Sequence, residues 1–337
     1  MKLIKIILIN LLIFFSLFVL LDIFFGSWFK NNFAFRLSSE RNIDRLYEFN
    51  FKNHKGISRY IRDNNAFRIG LDPIYSKDIN VVFSGGSTTN QKFLKYEDTI
   101  VSGLQKNFPN IKFVNAGIDG LSIQGHINSF EYWFDKIKNL KPKIYIFYIG
   151  INDQNLIKQN MKPVDTFEEP SLKNKIKEYL ESNSFWYKNF RKLKTYSYLK
   201  FGFSKGINKV STVVYGERNN EKFISYAEFE KKYKNNKEYI ELYSTYLDKL
   251  TKIVQSRNAE IIYITQISGY GMNEELFSAA NSIIQHCKIN DLFCINLAKE
   301  ADLNYEDFYD ALHLNTKGSL KVINFLTNKL KNIFINL

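Results

Sequence analysis

The chain opens with an apolar run that polar residues barely interrupt. In MKLIKIILINLLIFFSLFVLLDIFFGSWFK the two lysines Lys2 and Lys5 precede a stretch broken only by Asn10, Ser16, Asp22 and the Gly26–Ser27 pair. A helix from Ile6 to Phe29 would be roughly 36 Å long at about 1.5 Å per residue, enough to cross a bilayer with some tilt. Residues 30–78 lose the pattern and read as a polar juxtamembrane stalk or docking segment. From Ile79 the pattern becomes regular. INVVFSG, IKFVNAG, KIYIFYIG, EIIYITQ and LFCINLA are short, continuous apolar runs, the mark of strands buried on both faces. Helical periodicity separates them. Over 238–256, Tyr239, Tyr243, Tyr246, Leu247, Leu250, Ile253 and Val254 share one helix face. NEELFSAANSIIQHC predicts a second helix with Asn273 as N-cap. Near the C-terminus Leu320, Ile323, Leu326, Leu330 and Phe334 form a stripe suited to a sheet face.

Buried strands alternating with amphipathic helices predict an α/β domain built on a parallel sheet covered on both sides. The expected division is an N-terminal transmembrane signal anchor at 1–29, the juxtamembrane segment at 30–78 and the α/β domain at 79–337. Residues 155–237 are too long for a plain connection and read as an inserted helical cap. Its aromatic stretch SNSFWYKNFRKLKTYSYLKFGF fits either a substrate groove or simple packing of the cap.

Charge refines the picture. There are 47 Lys and Arg against 34 Asp and Glu, a net charge of +13. The lysines are scattered, with no basic block, reading helix or finger, so a basic surface near lipid is favoured over nucleic-acid binding. No A-x-A-like site follows the apolar run, which favours an uncleaved anchor over a signal peptide. Lys2 and Lys5 place the N-terminus in the cytoplasm and the remainder on the extracytoplasmic side. Lys30, Arg36 and Arg41 on the other flank pull against that orientation. The only two cysteines, Cys287 and Cys294, fit either a disulfide or two buried thiols. Neither their spacing nor that of His286 suits a zinc site.

In a parallel sheet, ligands bind beyond the carboxyl ends of the strands. The first strand ends in Gly85, Gly86 and Ser87, and the second in NAGIDGLS with Gly117 and Gly120. The third ends in GIND with Gly150 and Asn152, the fourth at Gln266, and YDALHLN with Asp310 and His313 follows the fifth. Acyl transfer by serine needs a base, an orienter for that base and donors for the oxyanion. His313, one of four histidines, stands three residues after Asp310, close enough for the carboxylate to hold Nδ1 and leave Nε2 facing outward. Asn152 offers a side-chain amide, Gly120 a backbone N–H without an obstructing Cβ, and Ser87 its own N–H. Taken singly, each piece has a bland reading: a helix cap, a turn, a surface pair. Gln266 suits a strand terminus or a substrate contact, and His54 and His126 suit surface or packing roles. No G-x-x-x-x-G-K-[ST] or G-x-G-x-x-G supports a nucleotide site.

In this order, FSGGSTT, NAGIDG, GIND and DALH resemble the four blocks of the SGNH hydrolases, the GDSL-type esterase superfamily, in its bacterial G-G-S-T variant. The resemblance covers about 260 residues from Ile79 onward, apart from the insertion. It implies a three-layer α/β/α sandwich with a five-stranded parallel, flavodoxin-like sheet. It also implies Ser87 as nucleophile, Asp310 and His313 as acid and base, and Ser87, Gly120 and Asn152 as the oxyanion hole, with no cofactor or metal. Gly86 stands where the family usually carries aspartate. The expected activity is an esterase that removes O-acyl groups such as acetyl from an envelope glycan or another acylated small molecule. The alternatives are an O-acyltransferase acting on envelope polysaccharide and a non-catalytic glycan-binding protein.

Overall fold

The computed structural model describes the chain except residues 1, 30–36, 38–39, 52, 155, 157–166, 168–170, 203–205, 211–222, 234–235 and 336–337. The N-terminal apolar run forms one helix, Lys2–Phe25, none of whose residues is buried. It is long and apolar enough to cross a membrane.

The strands are β1 (Ile43–Phe51), β2 (His54–Arg62), β3 (Arg68–Ile69), β4 (Val81–Gly85), β5 (Phe113–Gly117), β6 (Ile144–Tyr148), β7 (Ile207–Val210), β8 (Glu260–Ile264) and β9 (Phe293–Ile295). They form one sheet in the order β7-β1-β2-β3-β5-β4-β6-β8-β9. The run β5-β4-β6-β8-β9 is parallel throughout and contains the five expected strands. Its register brings Gly85 level with Gly117 and Tyr148, and Tyr148 level with Ile264, so the carboxyl ends share one rim.

Alternation along each strand divides the core in two. On one face Val82, Val114, Phe147 and Tyr263 pack with Ile127, Tyr243 and Leu247 from helices Ile123–Tyr132 and Lys237–Gln255. On the other, Phe83, Ile146 and Ile264 pack with Leu104, Val322 and Leu330 from helices Ile100–Asn107 and Thr316–Phe334. This is the three-layer α/β/α arrangement. In the C-terminal helix Leu320 is exposed, and Val322 takes its place in the buried stripe beside Ile323, Leu326, Leu330 and Phe334. The Glu274–Ile289 helix starts as expected, with the Asn273 side chain accepting from Leu276 N–H. A disulfide ties Cys287 in that helix to Cys294 in β9.

The sheet is wider than expected, with nine strands among the described residues. Residues 43–69, within the segment expected to be a stalk or docking segment, join the sheet: the β1–β2 hairpin and β3 extend it, with β3 antiparallel to β5. In β1, IDRLYEFNF, the charged residues Asp44, Arg45 and Glu48 fall between buried Ile43, Leu46, Phe49 and Phe51, so no continuous apolar run marks the strand. The expected insertion at 155–237 is described in part. It holds helices Leu172–Asn183, Phe185–Phe201 and Tyr226–Lys232, together with β7, which pairs parallel to β1.

Candidate active site

The rim above β4, β5 and β6 gathers the polar residues picked out along the chain. β4 ends at Gly85, and Gly86 precedes a short helix, Ser87–Asn90, whose first side chain is Ser87. A Cβ on Gly86 would meet the Asn152 side-chain amide, so a side chain at this position would require that amide to shift. The chain then turns back over the strand ends. Ser87 Oγ lies 2.7 Å from His313 Nε2. His313 Nδ1 lies 2.7 Å from Asp310 Oδ2.

Asp310 is fully buried, and its other oxygen accepts from the N–H groups of Leu312 (2.8 Å) and His313 (2.7 Å). The carboxylate is thereby fixed on the loop that carries the imidazole it orients. Tyr309 stacks on His313 with ring centroids 5.5 Å apart and planes within 11°. This ring-on-ring contact limits rotation of the imidazole away from Ser87.

Gly120 and Asn152, the donors expected from the sequence, lie in two turns. Ile118–Leu121 closes through Leu121 N–H to Ile118 O at 3.1 Å, and Gly120 at its third position has φ +76°. A β-turn with positive φ there favours glycine. Asn152 lies in a single turn, Ile151–Asp153, after β6. Its Nδ2 donates to Leu121 O at 2.9 Å, joining the two turns beside residues 86 and 87. Among the described residues, no cluster of three His, Cys, Asp or Glu side chains is placed to hold a metal ion.

Gln266 does not present its amide to substrate. It is buried, accepts from Ile151 N–H at 2.7 Å, and donates to Thr88 Oγ1 at 2.7 Å and Tyr148 O at 3.1 Å. It is a brace between the serine helix and the Asn152 turn. His126 and His54 are packing residues. His126 is fully buried against Ser84 Oγ (3.0 Å), and burial pushes its imidazole down to about 3. His54 is buried between the rings of Phe49 and Tyr309, at centroid distances of 4.5 and 5.0 Å.

A GDSL-like lipase/acylhydrolase family model matches residues 43–326, most of the chain. The chain belongs to the GDSL-like lipase/acylhydrolase family. Ester hydrolysis is the activity that goes with this membership. No curated protein matches the chain. Similar solved structures include a member of the lipolytic protein G-D-S-L family from Veillonella parvula, 13% identical, covering 76% of this chain and 98% of that one with a TM-score of 0.43. Another is a catalytic mutant of an acetylxylan esterase from Geobacillus stearothermophilus, 13% identical, covering 74% and 93% with a TM-score of 0.41.

The GDSL-family match begins at residue 43, inside the region read from sequence as a stalk, and that region holds the site in shape. Arg62, at the end of β2, is fully buried; its guanidinium donates to Gly117 O, Ala66 O and Tyr60 OH, each at 2.9 Å. Tyr60 OH in turn donates to Asn90 Oδ1 at 3.0 Å. Arg68, also fully buried, donates to Asn90 O, Gln91 O and, at 2.7 Å, Leu94 O. Burial pulls its guanidinium down to about 10, leaving it charged at neutral pH. Two buried cations therefore satisfy the carbonyls where the serine helix ends and where the Gly120 turn begins. At the hairpin tip, Asn53 Nδ2 donates to Phe308 O at 2.8 Å, and Phe51 stacks on Tyr309 at 5.0 Å.

GIND supplies a third unforeseen residue, after Arg62 and Arg68. Asp153 is buried beneath the Asn152 turn, accepting from Ile123 N–H (3.0 Å) and Tyr243 OH (3.1 Å). Burial raises its carboxyl to about 7, against the pull of both hydrogen bonds. The folded protein therefore holds this proton up to about pH 7, whereas the unfolded chain releases it near 3.8. Between those values the unfolded state binds fewer protons, so this group lowers stability as pH rises. In Asp153→Asn that component of the pH slope should vanish, leaving the variant more stable than the parent at pH 8 by on the order of a few kcal/mol. Urea melts of both proteins at pH 5 and pH 8 check this. Parallel pH slopes would show that Asp153 ionises normally.

Proposed function

We propose that the protein is a membrane-anchored serine esterase whose catalytic groups are Ser87, His313 and Asp310. The observation that carries this reading is the continuous hydrogen-bonded line from Ser87 Oγ through both imidazole nitrogens to a fully buried carboxylate. Asp310 holds the Nδ1–H tautomer, which leaves the Nε2 lone pair to accept the serine proton. As Oγ bonds to the acyl carbon, the carbonyl π pair moves onto oxygen. That oxyanion is met by the N–H groups of Ser87 and Gly120 and by the Asn152 amide, and losing one such donor typically costs about 3–4 kcal/mol. Collapse breaks the ester C–O bond, and the leaving alkoxide takes the proton from Nε2. Water then repeats the sequence on the acyl-serine, freeing the acid and restoring Ser87.

The substrate class proposed is an O-acylated, most simply O-acetylated, glycan of the cell envelope. Ser87 is only 7% exposed and His313 only 8%, which favours a short acyl group. The apolar N-terminal helix with Lys2 and Lys5 before it supports an anchor whose catalytic domain lies outside the cytoplasm. The Cys287–Cys294 disulfide agrees with an oxidising compartment.

The test is threefold. The protein should turn over p-nitrophenyl acetate, label at Ser87 with a fluorophosphonate, and release free acetate from acetylated oligosaccharide. Absence of labelling with intact glycan binding would replace this reading with a binding protein. Transfer of acetyl to a sugar acceptor without free acetate would replace hydrolysis with acyl transfer.

A further inference from the structure

Of the insertion's helices, Phe185–Phe201 docks on the N-terminal helix and Leu172–Asn183 meets the residues that follow it, and both expose apolar side chains. Trp186 stacks on Phe18 with centroids 4.3 Å apart and planes within 5°, and its indole N–H donates to Phe18 O at 2.9 Å. Asp22, the one acidic residue in the apolar helix, accepts from Ser184 Oγ at 2.8 Å and Trp186 N–H at 3.3 Å. A carboxylate in such a helix is unfavourable beside lipid unless it finds partners, and the insertion supplies them. Ser27 N–H donates to Asn183 O at 2.8 Å, and Lys188 Nζ donates to Ser27 Oγ at 2.7 Å. These contacts run from Phe18 to Ser27, the last ~10 Å of the span and its exit at about 1.5 Å per residue.

At that level the insertion shows what a soluble surface avoids. In helix Leu172–Asn183, Leu172, Ile176 and Leu180 recur every four residues on one face and are 46–73% exposed. In helix Phe185–Phe201, Phe190, Leu193, Tyr196 and Leu199 are exposed, with Lys192 and Lys200 among them. Residues 172–201 carry eight Lys and Arg against two Glu. Amphipathic helices that lie in a membrane interface combine apolar and aromatic side chains with lysine in this way. A face of this kind, continuous with a candidate span, calls for a cover.

We propose that helices Leu172–Asn183 and Phe185–Phe201 form an in-plane platform on an anionic bilayer surface, which fixes the catalytic domain against the membrane instead of leaving it on a tether. The apolar side chains enter the boundary between headgroups and acyl chains, and the lysines meet lipid phosphates. The platform also reaches the catalytic domain: Thr195 Oγ1 donates to Asp44 O of β1 at 2.9 Å, and β1 ends at Phe51, the residue stacked on Tyr309. The inference rests on the anchor reading of Lys2–Phe25, and its test separates the two.

Full-length protein carrying a fluorophore at Ile176→Cys, Leu193→Cys, Leu12→Cys or Leu320→Cys is reconstituted in phosphatidylcholine–phosphatidylglycerol vesicles with and without spin-labelled lipid. Labels at 176 and 193 should be quenched severalfold more than the label at 320, which lies on the catalytic body. Quenching at 176 and 193 no greater than at 320 would overturn the platform, even if the label at 12 is quenched and the anchor stands. An unquenched label at 12 beside quenched labels at 176 and 193 would remove the anchor and keep the platform. Labels at 176 and 193 shielded from aqueous iodide yet untouched by spin-labelled lipid would mean that another copy of the chain covers the face, which also overturns the proposal.

Discussion

Ser87→Ala is expected to lower kcat/KM for p-nitrophenyl acetate by roughly 10⁴- to 10⁶-fold, and His313→Ala by a similar factor. Combining the two should lower it little further. The reason is chemical: without Oγ there is no atom for the imidazole to deprotonate, and without the imidazole the hydroxyl keeps its proton. Effects of groups that act as one unit do not multiply. Stability should scarcely move in Ser87→Ala, because the hydrogen bond from Oγ to His313 Nε2 is set in a site where the backbone of the serine helix is held by other groups. Thermal melts alongside the kinetics separate loss of chemistry from loss of fold. Single variants that each cost tenfold and together cost a hundredfold would mean that Ser87 and His313 act independently, and the serine mechanism would fall.

How much of this was legible in the sequence depended on which local rule each segment obeys. Strands β4, β5, β6, β8 and β9 are continuous apolar runs, and the segments after β4, β5 and β6 carry glycines and short polar residues suited to a rim site. Ser87 and Asn152 could therefore be placed on one face from strand ends, whereas Asp310 and His313, beyond a loop after the last strand, rested on their own spacing and on the resemblance. The hairpin of β1 and β2 was not legible in that way, because its mixture of charged and apolar residues also describes a polar stalk or docking segment. Arg62 and Arg68 were lost with it. In sequence an arginine at a strand end looks like a solvated charge, and only tertiary packing shows that carbonyls of the serine helix and the Gly117 turn face it. Asp153 was hidden for a related reason: it follows Asn152, and nothing in the string tells which of two adjacent polar side chains points inward.

Removing the Arg62 guanidinium has the largest expected effect on stability, and it bears on catalysis as well. In Arg62→Leu the acceptors at Gly117 O, Ala66 O and Tyr60 OH lose their buried donor together. A break of this kind in a buried charged network costs about 3–5 kcal/mol, a large share of the stability of an ordinary domain. Arg62→Lys keeps the charge but not the fork, since one ammonium cannot reach donors spread across a planar guanidinium. It should fold with a smaller loss and still show the catalytic consequence. Gly117 O lies three residues before Gly120 and anchors the turn that presents its N–H, so loosening it should lower kcat with KM nearly unchanged. A purely structural role would lower the melting temperature and leave kcat per folded molecule at the parental value. Urea melts with active-site titration by fluorophosphonate distinguish these outcomes. If Arg62→Lys turns over ester at the parental rate per labelled serine, the arginine supports the fold alone and the Gly120 turn is held by Asn152 without it.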